Sequence, residues 1–220
     1  MDLAAEELIV GHLLTAFPDH QILAEERGQS RSASPWKWII DPLDGTTNYA
    51  HGYRFFCVSI GLEFEGEIVL GVVHDPTTLE TFSALTGGGA TLNDEPIQVS
   101  VEATLEDALL STGFSYQPEA VEQNLELFNA LIRQARAVRR DGSAALDLCY
   151  VACGRFDGFW ELSLSAWDVA AGTLIVREAG GAVSRFDGTP GSIYDGEIVV
   201  SNGALHGALL KSIGAVRAQR

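Results

Sequence analysis

The sequence predicts a layered fold of the α/β class, and three observations support this prediction. Strand-like and helix-like patterns alternate along the chain, as expected for sheets covered by helices. Hydrophobic residues make up 46% of the 220 residues, which is enough for a substantial core. No repeat, linker or low-complexity tract interrupts these patterns. We therefore expect one large domain or two closely packed halves.

The first part of the chain predicts a helix followed by a strand meander. Apolar residues at helical spacing predict a helix over residues 2–16, and Phe17-Pro18-Asp19-His20 ends it. Ile22-Leu23-Ala24 is predicted to be a short strand that ends at Glu25. Strand patterns then cover 56–64, 68–74 and 81–83, with short strands near 90–92 and 97–99.

Two stretches between these elements are assigned to loops. Residues 28–35 form a polar loop, which is either a flexible flap near a site or an ordinary surface connection. Gly87-Gly88-Gly89 lacks the following helix pattern and the Lys-Ser/Thr pair of a nucleotide-binding loop. We therefore predict a turn there.

The second part of the chain contains longer helical patterns. Residues 108–113 predict a strand that opens into a loop, and the amphipathic residues 119–136 predict a helix. The remaining predicted elements are a helix over 144–153, a strand over 156–162, a helix over 166–179, an apolar run at 198–201 and a last helix from about residue 203.

The charge distribution excludes several kinds of partner. With 14 Lys and Arg against 30 Asp and Glu, the net charge is −16, so the averaged field repels nucleic acid and anionic membranes. No apolar run is long enough to span a bilayer, and the N-terminus does not resemble a signal peptide. We expect no nucleic-acid or membrane partner. Phosphate binding would need local help from metal ions or oriented backbone amides.

The three cysteines indicate a reducing compartment. Cys57, Cys149 and Cys153 form no CxxC pair, and an odd number of cysteines favours a cytoplasmic protein. Cys149 and Cys153 lie four residues apart in an apolar helical stretch. They are therefore predicted to be core residues rather than zinc ligands.

The clearest chemistry lies in the stretch from Trp38 to Asn48. An apolar strand delivers Asp41 to the edge of a sheet, and the Pro42 turn brings Asp44 back beside it. Paired carboxylates repel each other unless a cation lies between them. Mg²⁺ and Mn²⁺ prefer such oxygen ligands, and the Leu43 carbonyl can supply another.

The residues after Asp44 can bind an anion. The backbone amides of Gly45 and Thr46 can point outward, and Gly45 allows an anion to approach the backbone closely. The stretch from Asp41 to Thr46 is therefore predicted to form a metal and phosphate site. For the five residues from Asp41 to Gly45 alone, an ordinary turn is the alternative interpretation.

Longer motifs resemble the inositol monophosphatase family of Mg²⁺-dependent, lithium-sensitive phosphatases. The string from Trp38 to Asn48 is similar to the family signature. Three other stretches match in the same order, namely Ile22 to Glu26, Gly142 to Ala145 and Trp167 to Gly172. The resemblance therefore extends over nearly the whole chain.

The resemblance implies a particular architecture. It is the five-layered αβαβα sandwich of the inositol monophosphatase and fructose-1,6-bisphosphatase type. One half, residues 1–107, would carry most metal ligands, and the other, residues 108–220, would carry Asp168 and the substrate contacts. The two would form one compact unit with the site between them. Family members usually have an additional first helix and a lysine-bearing loop before the position of Asp2, so this chain is expected to lack that helix.

The resemblance also implies which residues act. The implied metal ligands are Glu25, Asp41, Asp44, Asp168 and the Leu43 carbonyl oxygen. The implied catalytic residues are Glu25, Thr46 and Asp44. The implied substrate contacts are Asp44, Gly45, Thr46, Ser143, Ala144, Glu161 and Asp168, with Ser111 as a further candidate.

The implied mechanism is direct in-line attack by a metal-activated water, without a phosphoenzyme. Glu25 and Thr46 would hold the water on a first metal ion, and Thr46 would pass its hydroxyl proton toward a neighbouring carboxylate. A second ion, between Asp41, Asp44 and Asp168, would stabilise the leaving oxygen. Asp168 also lies in the first turn of its predicted helix, where the helix dipole favours the ionised carboxylate.

Some of these residues have simpler interpretations. Glu25 and Glu26 fit a solvated acidic pair, and the duplication leaves a one-residue ambiguity in the ligand assignment. Asp168 fits a helix cap, and Glu161 fits an edge carboxylate on a strand.

The expected function is that of a Mg²⁺-dependent phosphate monoester hydrolase that binds two or three Mg²⁺ ions, which Mn²⁺ could replace. Its substrate would be inositol monophosphate or a similar polyol or sugar phosphate, and a homodimer is the expected assembly. Within the superfamily, the alternative substrates are fructose 1,6-bisphosphate, NADP, histidinol phosphate and phosphoadenosine phosphate. A non-catalytic regulatory protein on the same fold is a further alternative.

Overall fold

The computed structural model describes residues 1–30, 32–115 and 117–219. Within these residues, the chain forms six α-helices and two sheets, of eight and five strands. Residue 31, in the predicted loop 28–35, lies outside the described residues. In the described part of the chain, no helix is long and apolar enough to cross a membrane.

The larger sheet takes its strands from the first part of the chain. Their spatial order is β2 (Gly28–Gln29), β1 (Gln21–Ala24), β3 (Trp36–Asp44), β4 (Cys57–Phe64), β5 (Glu67–Asp75), β6 (Glu80–Leu85), β7 (Gly89–Leu92) and β8 (Glu95–Ile97). Strand β1 runs parallel to β3, and the other neighbouring pairs are antiparallel. The predicted meander is therefore present.

The smaller sheet takes its strands from the second part of the chain. Their spatial order is β10 (Ala137–Arg139), β9 (Leu109–Thr112), β11 (Gly158–Leu162), β13 (Glu197–Ser201) and β12 (Ala182–Ser184). Strand β9 runs parallel to both of its neighbours, whereas β13 is antiparallel to both of its own. Strand β11, which carries Glu161, is buried along its whole length.

The helices complete five layers. Helix α1 (Asp2–Ala16) packs on β3, and the short helix α2 (Thr46–Ala50) follows β3 directly. Helices α4 (Ala144–Ala152) and α5 (Ala166–Glu178) pack together between the two sheets. Helices α3 (Pro118–Leu131) and α6 (His206–Arg217) cover the smaller sheet. The αβαβα order is therefore confirmed.

The buried part of β3 shows how the sheet separates two layers. Trp38 and Ile40 pack with Val10 of α1, whereas Ile39, between them, packs with Ala170 of α5. Successive side chains of a strand point to opposite faces, so a strand with helices on both sides needs a continuous apolar run. The same burial holds the end of β3, and with it Asp41 and the bulge that follows, at a fixed position.

Helix α5 lies unusually close to the larger sheet. A Cβ atom at Gly71 of β5 would lie 2.7 Å from the carbonyl oxygen of Ala171, and one at Gly61 of β4 would lie 3.0 Å from Cβ of Ala170. Glycine is therefore required at Gly71, because its neighbour is backbone and cannot rotate away. This close contact fixes the distance between α5 and the larger sheet, and with it the position of Asp168 in the first turn of α5.

Most predicted elements are confirmed, with boundaries that shift by a few residues. The third helix ends at Leu131 rather than at residue 136, because residues 137–139 pair with β9. Gly28 and Gln29, predicted to be loop, form β2. Gly87-Gly88-Gly89 is a turn before β7, as predicted, and β8 begins two residues earlier than the predicted strand at 97–99.

The division into halves 1–107 and 108–220 stays a prediction. The strands separate in this way, since those of the larger sheet come from residues 21–97 and those of the smaller from 109–201. Helices α4 and α5 belong to the second part of the chain but contact strands of the larger sheet as well. The two parts therefore share one interior.

We expect Gly71→Ala to destabilise the protein by about 1–3 kcal/mol, because the new methyl group must displace the backbone of α5. Urea denaturation measures the free energy of unfolding. The matched control is Gly11→Ala in α1, where a Cβ atom would meet nothing within 4 Å and φ is not positive. That control should gain up to about 1 kcal/mol from helix propensity. Equal effects of the two variants would contradict the close-contact explanation.

Candidate functional site

An open cavity of about 490 Å³ lies where β1, β3, α4, α5 and β11 end or begin. Every residue assigned a role from the sequence lines this cavity, apart from the further candidate Ser111. These residues are Glu25, Asp41, Leu43, Asp44, Gly45, Thr46, Ser143, Ala144, Glu161 and Asp168. Ser111 is fully buried in β9 and does not line the cavity.

The parallel pairing of β1 and β3 brings Glu25 beside Asp41. Ala24 is opposite Ile40, so the next residues along the two strands, Glu25 and Asp41, lie side by side. The Glu25 amide donates to the Ile40 carbonyl oxygen at 3.3 Å, and the Glu25 carboxyl interacts with Asp41. Glu26 also lines the cavity, but the contact with Asp41 favours Glu25 as the ligand.

A bulge at the end of β3 brings the second aspartate into the cavity. Asp41 is opposite Ser59 and Asp44 is opposite Cys57. Strand β3 therefore holds one more residue than β4 between these two pairs. Pro42 lies in the bulge, where the ladder does not need its missing N–H. The Leu43 amide donates to Asp41 Oδ1 at 2.9 Å, which fixes that carboxylate locally.

Gly45 ends the bulge in a conformation that favours glycine. Its φ is +94°, and a Cβ atom there would lie 2.9 Å from the carbonyl oxygen of Phe55. Helix α2 begins at the next residue, Thr46, whose hydroxyl donates to the Leu43 carbonyl oxygen at 3.0 Å. The hydroxyl thus contacts a carbonyl rather than a carboxylate. The Leu43 oxygen keeps a second lone pair for another partner.

Asp44 connects the larger sheet to α4. Its Oδ2 accepts hydrogen bonds from the Ser143 hydroxyl and from the Ala145 amide, both at 2.7 Å. Burial raises the pKa of Asp44, while these donors and the amides of Ala144 and Gly45 oppose the rise. The first turn of α4 thus stabilises the ionised carboxylate.

Asp168 is both a helix cap and a cavity residue. The Ser165 amide donates to its Oδ2 at 2.7 Å, at the start of α5. Burial, and then the charge of Asp44, raise the pKa of Asp168 to about 7. The expected preference for the ionised form does not hold for the protein groups by themselves, because burial and repulsion outweigh the helix terminus. The helix-cap and cavity-ligand interpretations of Asp168 are therefore compatible.

Glu161 is a buried carboxylic acid that also lines the cavity. Burial, and then the charges of Asp168 and Asp44, raise its pKa to about 8, while Arg140 opposes the rise. The Glu161 carboxylate lies against Gly113, where a Cβ atom would collide with both of its oxygens. A glycine at position 113 is therefore what leaves room for this carboxylate.

Three cavity residues were not identified from the sequence. Asp2, in the first turn of α1, adds negative charge near Glu25. Arg140 is the only basic residue among the described residues that line the cavity. Asp147 is buried, which raises its pKa well above the usual range. Its position four residues after Ser143, on the same helix face, was a signal that could have identified it.

The donor set fits a hard divalent cation such as Mg²⁺. Glu25, Asp41, Asp44, Asp168 and the Leu43 carbonyl are all oxygen donors on one cavity wall. Burial raises the pKa of each of the four carboxyls, and neighbouring carboxylates add to the rise at Glu25, Asp41 and Asp168. Among the described residues, no three His, Cys, Asp or Glu side chains already surround one point closely enough to form a coordination shell. Metal binding would therefore require the carboxylates to rotate toward the ion.

Comparison with known proteins identifies close relatives. The model of the inositol monophosphatase family matches residues 1–218. An inositol-1-monophosphatase from Synechocystis is 48% identical over 97% of this chain and 75% of that protein. Nus factor SuhB from Pseudomonas aeruginosa is 46% identical over 97% of this chain and 81% of that protein.

Solved structures agree with these relatives. The inositol monophosphatase from Anabaena has a TM-score of 0.95 and 46% identity, over 97% of this chain and 86% of that one. SaIMPase-II has been solved with inositol monophosphate, at 29% identity and a TM-score of 0.84, over 96% of this chain and 82% of that one. The same protein has been solved with 2′AMP, at 28% identity and a TM-score of 0.85, over 99% of this chain and 86% of that one.

We expect the stability of the metal-free protein to fall as the pH rises from about 5 to about 8. Asp168 and Glu161, with pKa values of about 7 and about 8, keep protons in the folded state that the unfolded chain has already lost. Each group contributes a slope of at most about 1.4 kcal/mol per pH unit. Urea denaturation in EDTA measures this slope.

The control for the pH dependence is Glu161→Gln, which cannot lose a proton. It should make the slope shallower over the upper part of this range, whereas Glu178→Gln, at the remote end of α5, should not. Stability that is constant or rises with pH would show that these carboxyls are not raised in pKa.

Proposed function

The chain belongs to the inositol monophosphatase family and is a phosphoric monoester hydrolase, and we propose that it acts on inositol monophosphate or a similar polyol or sugar phosphate in a Mg²⁺-dependent reaction. The observation that carries this proposal is the convergence of Glu25, Asp41, Asp44 and Asp168 on one cavity from three separate parts of the chain. Repelling carboxylates gathered in this way are suited to cations and not to an anionic substrate alone.

We propose that Asp41, Asp44, Asp168, Glu25 and the Leu43 carbonyl hold two or three Mg²⁺ ions, which Mn²⁺ could replace. When bound, such ions make a water more acidic and neutralise charge on the phosphoryl oxygens. The Asp41 and Asp168 carboxylates are each held from one side by a backbone amide. Each amide holds only one oxygen of its carboxylate, so the other oxygen can still turn toward an ion.

The remaining residues orient the reactants. We propose that Glu25 and Thr46 hold the attacking water, and that Thr46 turns its hydroxyl from Leu43 toward a carboxylate such as Asp2, which lines the same cavity. The amides of Gly45 and Thr46 would contact the phosphate. Attack in line with the leaving oxygen, without a phosphoenzyme, needs no protein nucleophile.

The leaving group would lie between Ser143, Ala144 and Glu161. A carboxylate at Glu161 accepts hydrogen bonds from substrate hydroxyls, and Gly113 leaves room for it. SaIMPase-II, solved with inositol monophosphate and with 2′AMP, supports ring phosphates that carry a neighbouring hydroxyl. Fructose 1,6-bisphosphate, NADP, histidinol phosphate and phosphoadenosine phosphate stay alternative substrates.

A regulatory role is the second candidate. The Pseudomonas relative is named a Nus factor, at 46% identity. The carboxylates of the metal site are all present in this chain, so a regulatory role would exist beside catalysis rather than replace it.

A homodimer stays a prediction. The three cysteines are free thiols, which supports our proposal of a cytoplasmic location.

We expect hydrolysis of inositol 1-phosphate to require Mg²⁺, to persist with Mn²⁺, to be inhibited by Li⁺ and to stop in excess EDTA. Asp41→Asn should lower kcat by about 100-fold or more, since it removes a charged ligand. Phosphate release measures both effects. Full activity in EDTA would exclude the metal mechanism.

The Asp41→Asn variant is also a controlled test of the ligand assignment. Asparagine can accept the same hydrogen bond from the Leu43 amide, so the local turn should persist. The metal-free variant should be at least as stable as the wild type, because one repelling charge has been removed. A variant with wild-type turnover would show that Asp41 is not a ligand.

Glu161 should determine specificity rather than phosphate binding. We expect Glu161→Gln to raise KM for inositol 1-phosphate while hardly changing the hydrolysis of p-nitrophenyl phosphate. The leaving group of p-nitrophenyl phosphate has no hydroxyl that could donate a hydrogen bond to Glu161. Steady-state kinetics on both esters measures this difference. Glu26→Gln, another acid on the cavity wall, is the control and should leave both substrates unaffected. Equal losses on both esters for Glu161→Gln would indicate a role in the chemical step or in folding.

A further inference from the structure

A buried carboxylate in α1 holds the turn that presents Glu25. Glu6 is fully buried, and its Oε2 accepts a hydrogen bond from the Glu26 amide at 2.9 Å. The Arg27 Nε atom lies 3.2 Å from Glu6 Oε1. Glu6 itself does not line the cavity. A buried carboxylate is costly unless it is paired and hydrogen-bonded, so this contact strongly constrains the turn.

Glu25 is tethered through the backbone on both sides. Its own amide donates to the Ile40 carbonyl oxygen of β3 at 3.3 Å, and the next amide, that of Glu26, donates to Glu6. The Glu25 side chain interacts with the Asp41 carboxyl, while the charges of Glu26, Asp44 and Asp2 repel it. The backbone therefore fixes where the Glu25 side chain begins, and the contact with Asp41 orients its carboxyl.

We propose that Glu6 is a positioning residue that sets the place of Glu25 in the metal site. This inference rests on the proposed function, because it assigns Glu25 to the metal and the attacking water. Glu6 acts through the Glu26 amide and the Arg27 guanidinium, and touches no reacting atom. Helix α1 packs on β3, so Glu6 fixes the position of Glu25 relative to Asp41.

The size of the effect follows from geometry. A misplacement of about 1 Å in a catalytic group can cost about 100-fold in rate. Glu6→Leu places an apolar side chain of similar volume at this buried position and has no acceptor for the Glu26 amide. Glu6→Gln retains an acceptor but loses the charge that pairs with Arg27. Glu6→Leu thus loses both contacts, whereas Glu6→Gln loses only the ion pair.

The chain offers a matched control on the same arginine. Glu7 Oε1 lies 3.1 Å from Arg27 Nη2, but its side chain is 67% exposed, and the hydrogen bond from the Glu26 amide goes to Glu6 instead. We expect Glu6→Leu to lower kcat by about 10- to 100-fold and to raise the Mg²⁺ concentration for half-maximal rate. Glu6→Gln should show an intermediate loss of about 3- to 10-fold. Glu7→Gln should match the wild type.

A second background tests whether the effect passes through Glu25. In the Glu25→Gln variant, adding Glu6→Leu should cause no further loss, since the residue being positioned is already impaired. The same fold loss in both backgrounds would overturn the proposal, as would Glu6→Gln kinetics equal to those of Glu7→Gln. If Glu6→Leu does not fold, as judged by circular dichroism, the comparison of Glu6→Gln with Glu7→Gln decides.

A readout without turnover separates this inference from the proposed function. If the wild type shows no metal-dependent hydrolysis, the proposed function fails, and Mg²⁺ binding by titration calorimetry tests the positioning role alone. Weaker binding by Glu6→Leu and Glu6→Gln, but not by Glu7→Gln, supports the role. Equal Mg²⁺ affinity in all three variants overturns it.

Discussion

The hydrogen bonds between Asp44 and the first turn of α4 are the contact on which the site depends. Asp44 ends a strand of the larger sheet, whereas Ser143 and Ala145 belong to the helix between the sheets. The positive end of α4 stabilises the ionised carboxylate, and the carboxylate satisfies amides that the helix cannot pair internally. The larger sheet and the second part of the chain therefore meet at one of the proposed metal ligands.

The same solution recurs around the cavity, because backbone amides rather than basic side chains hold the carboxylates. Asp41 accepts from the Leu43 amide and Asp168 from the Ser165 amide. Arg140 is the only basic residue on the cavity wall within the described part of the chain. Amides supply partial positive charge at fixed positions without neutralising the carboxylates. The site therefore keeps the negative charge that attracts divalent cations, in a chain whose net charge of −16 would otherwise repel phosphate.

Much of the fold and of the candidate site could be predicted because the signals are local. The apolar run of β3 requires cover on both faces, and its two helical layers are present. The motif residues that line the cavity lie at strand ends and first helical turns, where short sequence patterns are informative. Short elements such as β2, β12 and α2 escaped prediction, because two to five residues carry too little periodicity.

What could not be predicted is the set of contacts between residues far apart in the chain. Glu6 meets the Glu26 amide across 20 residues, and Asp44 meets Ser143 across 99. The apolar spacing at the start of the chain predicts the first helix but gives no buried position and no partner for Glu6. The local sequence likewise places Asp168 at a helix terminus that favours its charge, whereas burial and the distant Asp44 raise its pKa instead. The chemical groups of this site are thus encoded in short motifs, but their positions and protonation depend on long-range packing.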